Sequence, residues 1–87
     1  MQEQSEPRYE LTAAQSRMAR AATGLGVREL ASAAGVSPDT VARLERREQL
    51  RPATLAAIRA SLEAAGVAFI PENGGGPGVR LRARGEG

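Results

Sequence analysis

The chain has 87 residues and a formal net charge of only +2, with twelve basic residues that are all Arg and no Cys, His or Lys. Disulfides are excluded, and neither thiolate nor imidazole exists for metal, redox or nucleophilic chemistry. That length suits one small domain with a marginal core; with one Phe and one Tyr among many alanines, packing must come from close helix contacts, and dimerisation is a natural source of further buried area.

Residues 1–10 set three glutamates against one arginine and contain Pro7, which predicts a flexible acidic tail. That stretch lacks a basic start followed by an apolar run, and no apolar run approaches the length of a bilayer span. The expectation is a soluble, cytoplasmic protein with no membrane partner. Thr12 followed by Gln15 is a capping-box signature and opens a first helix over 13–23, with Leu11, Met18, Ala21 and Ala22 as its buried face and Gly24 as its stop.

Residues 27–46, VRELASAAGVSPDTVARLER, read as two short helices joined by a tight turn at Gly35. Leu30, Ala31, Val36, Val41 and Leu44 give both helices an inward apolar stripe. Ala31 is small enough for a close helix crossing, and Gly35 supplies the positive φ that ends the second helix. Ser37 is a good N-cap and Pro38 fits the first helical position, so a third helix runs over 37–47. Residues 48–51 form a loop. Pro52 opens a fourth helix, in which Leu55, Ile58 and Leu62 recur at three and four residues, and Gly66 closes it. Beyond, 67–70 and 79–82 are β-prone runs separated by PENGGGPG, which cannot be helical. Val79 and Leu81 alternate with Arg80 and Arg82, as in a strand with one buried face. A β-hairpin over 67–82 follows, and it must pack on the helices, pair with a second copy, or both. Residues 83–87 are read as a flexible tail.

The 27–46 segment resembles the helix-turn-helix of the Cro and phage-repressor (XRE-like) family of DNA-binding proteins. LTAAQSRMARAATGLG before it and LRPATLAAIRASLEAAG after it are similar to that family's first and fourth helices. The resemblance covers residues 11–66 and implies a mainly α, lambda-repressor-like domain of four helices, here followed by the hairpin where many members have a fifth helix. It also implies a sequence-specific transcriptional regulator that binds a palindromic operator in double-stranded DNA as a homodimer, with no enzymatic activity, cofactor, metal or small-molecule ligand.

The resemblance places base contacts at Pro38, Asp39 and Arg43. Arg43 can fork onto guanine O6 and N7, and Ala42 can meet a thymine methyl. Asp39 either accepts from cytosine N4 or is neutralised by Arg43 one turn on, the second being favoured. Phosphate contacts fall to Thr40, Arg46, Arg47 and Arg51, and to the amides of Gly26, Val27 and Arg28 at a helix N-terminus. Valine at position 27 replaces a glutamine common in the family, which shifts weight to Arg28. Arg20 and Glu45 stand where some members hold a buried ion pair. Val67, Phe69, Ile70, Val79 and Leu81 are the candidate dimerisation surface.

Other signals carry less. GGGPG is a turn and not a phosphate loop, since no Lys follows it and no helix begins there. Glu45 and Glu48 read as a carboxylate pair on a charged surface without catalytic company. RLRARG is the outer face of a strand or an arm along phosphates, the strand being favoured. An alternative function is a protein-interaction module, antitoxin-like, that sequesters a protein partner through the hairpin.

Overall fold

The computed structural model describes residues 11–71 and 74–82; the tails expected over 1–10 and 83–87 lie outside the described residues. The described chain forms α1 (Ala13–Thr23), α2 (Val27–Ala34), α3 (Pro38–Glu45), α4 (Pro52–Ala64), β1 (Val67–Ile70) and β2 (Gly78–Leu81). The two strands form an antiparallel hairpin, so the architecture is mostly α with a C-terminal β-hairpin. Among the described residues no helix is long and apolar enough to cross a membrane.

Polar punctuation sets the helix starts. Thr12 Oγ1 accepts from the Gln15 N–H at 3.0 Å while Gln15 Oε1 accepts from the Thr12 N–H at 3.1 Å, a reciprocal cap that satisfies two otherwise orphan donors. Ser37 Oγ accepts from the Thr40 N–H at 3.1 Å, and Pro38 and Pro52 take the first turns of α3 and α4. At α2 the Glu29 carboxylate accepts from the Gly26 N–H at 2.6 Å, and Gly26 has no side chain to return the bond.

Helix α2 ends in a Schellman turn. Gly35 has φ 74°, its N–H donates to Ser32 O at 3.2 Å, and the Val36 N–H donates to Ala31 O at 3.0 Å. The end of α3 repeats this pattern with a different residue. Arg47 has φ 72°, its N–H donates to Leu44 O at 2.9 Å, and the Glu48 N–H donates to Arg43 O at 2.9 Å. The helix therefore stops at Glu45, before the end of the rod expected over 37–47. An arginine occupies the left-handed position that glycine would fill without steric cost.

The core gathers Leu11, Ala19, Leu30, Ala31, Val41, Leu44, Ile58, Leu62 and Val67. Leu30, Ala31, Val41 and Leu44 are inward, as the spacing requires, but α1 faces differently from expectation. Met18 is 39% exposed and Ala21 and Ala22 are exposed, whereas Ala13, Gln15, Ser16 and Ala19 are buried. At about 100° per residue the two faces lie more than a right angle apart. The inward side of α1 holds polar groups that find partners there, and turning alanines outward costs little apolar burial.

The hairpin packs on α1 and α4. Val67 pairs with Leu81 and Phe69 with Val79, so these four share one face; Val67 is fully buried, while Phe69 and Val79 pack against the core. Strand β2 begins one residue earlier than expected, yet the ladder reaches position 82, where the Arg82 N–H donates to Gly66 O at 2.8 Å. At the other end Gln15 Nε2 donates to Ile70 O at 3.4 Å and Gly78 O at 3.2 Å. The side chain that caps α1 thus also ties that helix to the open end of the hairpin.

Candidate nucleic-acid interface

With Val41 and Leu44 buried, α3 leaves Pro38 and Asp39 exposed and Ala42 and Arg43 half-exposed. Behind it stands one carboxylate. Glu45 accepts from Ser16 Oγ at 2.6 Å, from Arg20 Nε at 2.9 Å and from Arg20 Nη2 at 2.7 Å. The Arg17 guanidinium donates to the Glu45 carbonyl oxygen, which puts positive charge at the negative end of the α3 dipole. Burial pushes the Glu45 carboxyl up, but the hydrogen bonds from Arg20 and Ser16, with the charges of Arg20 and Arg17, outweigh it and hold the group below its ordinary value. Arg20 is raised in turn, chiefly by its hydrogen bond to Glu45. The ion pair expected between Arg20 and Glu45 is present. Glu45 is buried, not on a charged surface beside Glu48 as the spacing had implied.

Arg43 does not neutralise Asp39, correcting the favoured expectation. Its Nε donates to Glu48 Oε1 at 3.1 Å, while Arg46 Nε and Nη2 donate to Glu48 Oε2 at 3.3 and 3.0 Å. The left-handed turn at Arg47 is the reason, because it swings Glu48 back over the last turn of α3 between the two guanidiniums. Their hydrogen bonds hold the Glu48 carboxyl below its ordinary value, although the residue is on the surface. Asp39 makes no ion pair among the described residues.

Arg28, Arg46, Arg47 and Arg51 are exposed. Thr40 Oγ1 shares a hydrogen bond with Ser37 Oγ at 2.9 Å, so its hydroxyl is part of the cap. The anion site expected at the start of α2 is narrowed. Glu29 already occupies the Gly26 N–H, leaving the amides of Val27 and Arg28, and its negative charge opposes an incoming phosphate. Val27 is half-buried against the core, so its side chain belongs to packing.

Of the five residues assigned to a dimer surface, Val67 is corrected: it has no exposed area and serves the chain's own core. Phe69 and Val79 are partly committed to the same core, Ile70 is half-buried and Leu81 is 56% exposed. Arg80 lies in β2 and both Arg80 and Arg82 are exposed; Arg84 of the proposed arm lies outside the described residues. Also among the described residues, no group of three His, Cys, Asp or Glu is placed to hold a metal ion.

Three contributors escaped the sequence reading. Ser16, Arg17 and Gln15 carry polar contacts from α1 to α3 and to the hairpin, and none was singled out as part of this apparatus. A signal existed for the first: Ser16 lies four residues before Arg20 and so shares its helix face. Comparison of the chain with protein-family models and with curated proteins gives no match in either.

Proposed function

We propose that this protein is a sequence-specific DNA-binding transcriptional regulator of the Cro and phage-repressor type, acting in the cytoplasm as a homodimer on a palindromic site and catalysing no reaction. One observation supports the reading above others. The outward side of α3 carries Arg43 in its last turn, with Arg46 and Arg47 just beyond its end, while its inner side is clamped to α1 through the buried Glu45 carboxylate. A helix that reads base edges must be held rigidly from behind, since base contacts specify only when backbone contacts fix register.

On this reading Arg43 faces a guanine, Ala42 a thymine methyl and Asp39 a cytosine amino group. Arg28, Arg47 and Arg51 grip phosphates and supply most of the salt-dependent affinity, while the Arg46 guanidinium is held by Glu48. Two copies place their α3 helices in successive major grooves about 10 base pairs apart. Regulation is by occupancy of a promoter or its flank.

The test is selection of bound duplexes from a random pool at near-physiological salt, with wild type and Arg43→Ala. The expected result is an enriched palindrome whose discrimination Arg43→Ala relaxes at one symmetric pair of positions, at a cost of about 1–3 kcal/mol per half-site. Wild-type retention no better than for random duplex refutes the proposal.

A further inference from the structure

The turn after α3 places one carboxylate where two guanidiniums converge, and it engages them differently. Glu48 Oε1 takes only the Nε of Arg43, at 3.1 Å, whereas Oε2 takes both Nε and Nη2 of Arg46, at 3.3 and 3.0 Å. The forked end of Arg43, Nη1 and Nη2, therefore remains open, and that is an edge which can pair end-on with guanine O6 and N7. The fork of Arg46 is instead occupied along one side. Glu48 is placed by backbone as well as side chain, because its N–H donates to Arg43 O within the Schellman turn at Arg47. The end of the preceding helix is thus the template that sets where its carboxylate lies.

From this we infer that Glu48 is a positioning residue for DNA specificity: it holds the Arg43 guanidinium by its Nε with the fork directed outward, and it restrains Arg46 from indiscriminate phosphate binding. The inference rests on the proposed DNA-binding function and deepens it. Arginine loses rotamer freedom on binding, and a fixed partner for Nε removes part of that loss before DNA arrives. The orientation so fixed favours a base edge in one place over phosphates in many. Conversely, an uncompensated Arg46 would add a sequence-independent phosphate contact, and with it a steeper salt dependence.

Four variants separate these effects: Glu48→Ala, Glu48→Gln, Arg43→Ala and the double Arg43→Ala/Glu48→Ala. For each, affinity is measured across a salt series for the duplex that wild type selects and for a scrambled duplex. Glu48 is exposed, so its replacement opens no cavity, and unchanged circular dichroism verifies folding. Glu48→Ala is expected to bind the scrambled duplex several-fold more tightly, with a log–log salt slope steeper by about 0.9 for the phosphate contact Arg46 gains. It is also expected to lower the ratio of selected to scrambled affinity about tenfold, within the range of one bidentate base contact. That loss should concentrate at the base pair that Arg43→Ala also relaxes. The double variant should discriminate no worse at that pair than Arg43→Ala alone. Glu48→Gln keeps a carbonyl to accept from Nε and should retain most discrimination there. A Glu48→Ala ratio within about twofold of wild type, or an equal loss at every base pair, overturns the role of Glu48 while leaving DNA binding intact. Failure of wild type to select any site overturns the function, and this role with it.

Discussion

Replacing Arg20 by alanine removes the principal partner of the best-buried charge in the described structure. The Glu45 side chain is 10% exposed and loses two hydrogen bonds, from Nε at 2.9 Å and Nη2 at 2.7 Å, keeping only that of Ser16 on the carboxylate. Breaking a fully buried pair by deleting one member costs about 3–5 kcal/mol, because the survivor is left charged and unpaired. Arg20 is itself 22% exposed, so water reaches the vacated space, and the lower end applies: about 3 kcal/mol. For a domain of this size that is a fall in Tm of roughly 12–24 °C. Thermal unfolding followed by circular dichroism at pH 7 reads it directly. Arg20→Lys should recover only part, since one ammonium cannot fork onto both carboxylate oxygens. A fall of less than about 5 °C for Arg20→Ala would match an ordinary exposed ion pair and would refute the claim that Glu45 anchors α3.

Acid should act on the same group. Glu45 has its pKa depressed in the folded chain, so its contribution is complete above the unfolded carboxyl range and is lost as pH falls through the folded value. Tm should therefore decline from about pH 5 downward, and Glu45→Gln should flatten that decline in part; an equally steep decline in the variant would contradict the assignment. Arg47→Gly relieves a left-handed arginine, at φ 72°, and should stabilise the fold by about 1 kcal/mol while lowering the DNA salt slope by about 1; a destabilised variant would show that the arginine side chain does more for the fold than its backbone costs. Gln15→Glu sets an acceptor against the carbonyls of Ile70 and Gly78 and should cost about 2 kcal/mol. Amide exchange should rise more in β1 and β2 than in α2, whereas a uniform rise would argue against a local tie.

Helix starts and most helix ends were legible because they depend on single residues acting locally. Thr12 with Gln15, Ser37 with Pro38, and Pro52 each cap or open a helix with groups three residues away or nearer. Gly24 and Gly35 end theirs by a conformation that few other residues adopt. The end of α3 was not legible for the same reason, since arginine gives no hint of a left-handed turn. From that miss came another, because Glu48 reaches Arg43 only through the turn. The facing of α1 failed differently. Apolar periodicity pointed to Met18, Ala21 and Ala22, but a helix with few large apolar residues is oriented by its polar contacts, and these depend on a glutamate 25 and 29 residues further along. The Arg20–Glu45 pair itself came from resemblance, and spacing alone would not have found it. Among the candidate DNA-facing residues, exposure at Pro38, Asp39 and Arg46 followed from placing Val41 and Leu44 inward, a one-dimensional inference that three dimensions leave unchanged.

The carboxamide of Gln15 has a consequence for synthesis on the ribosome. Its two acceptors belong to residues 55 and 63 positions later, so the leading end of the first helix cannot complete its bonding until position 78 has cleared the exit tunnel. A nascent chain held by a C-terminal arrest linker with Gly66 outside the tunnel and Gly78 still inside it would present all four helices with that amide hydrated or poorly bonded, and such a chain should be cleaved by protease near residue 12 faster than the released protein.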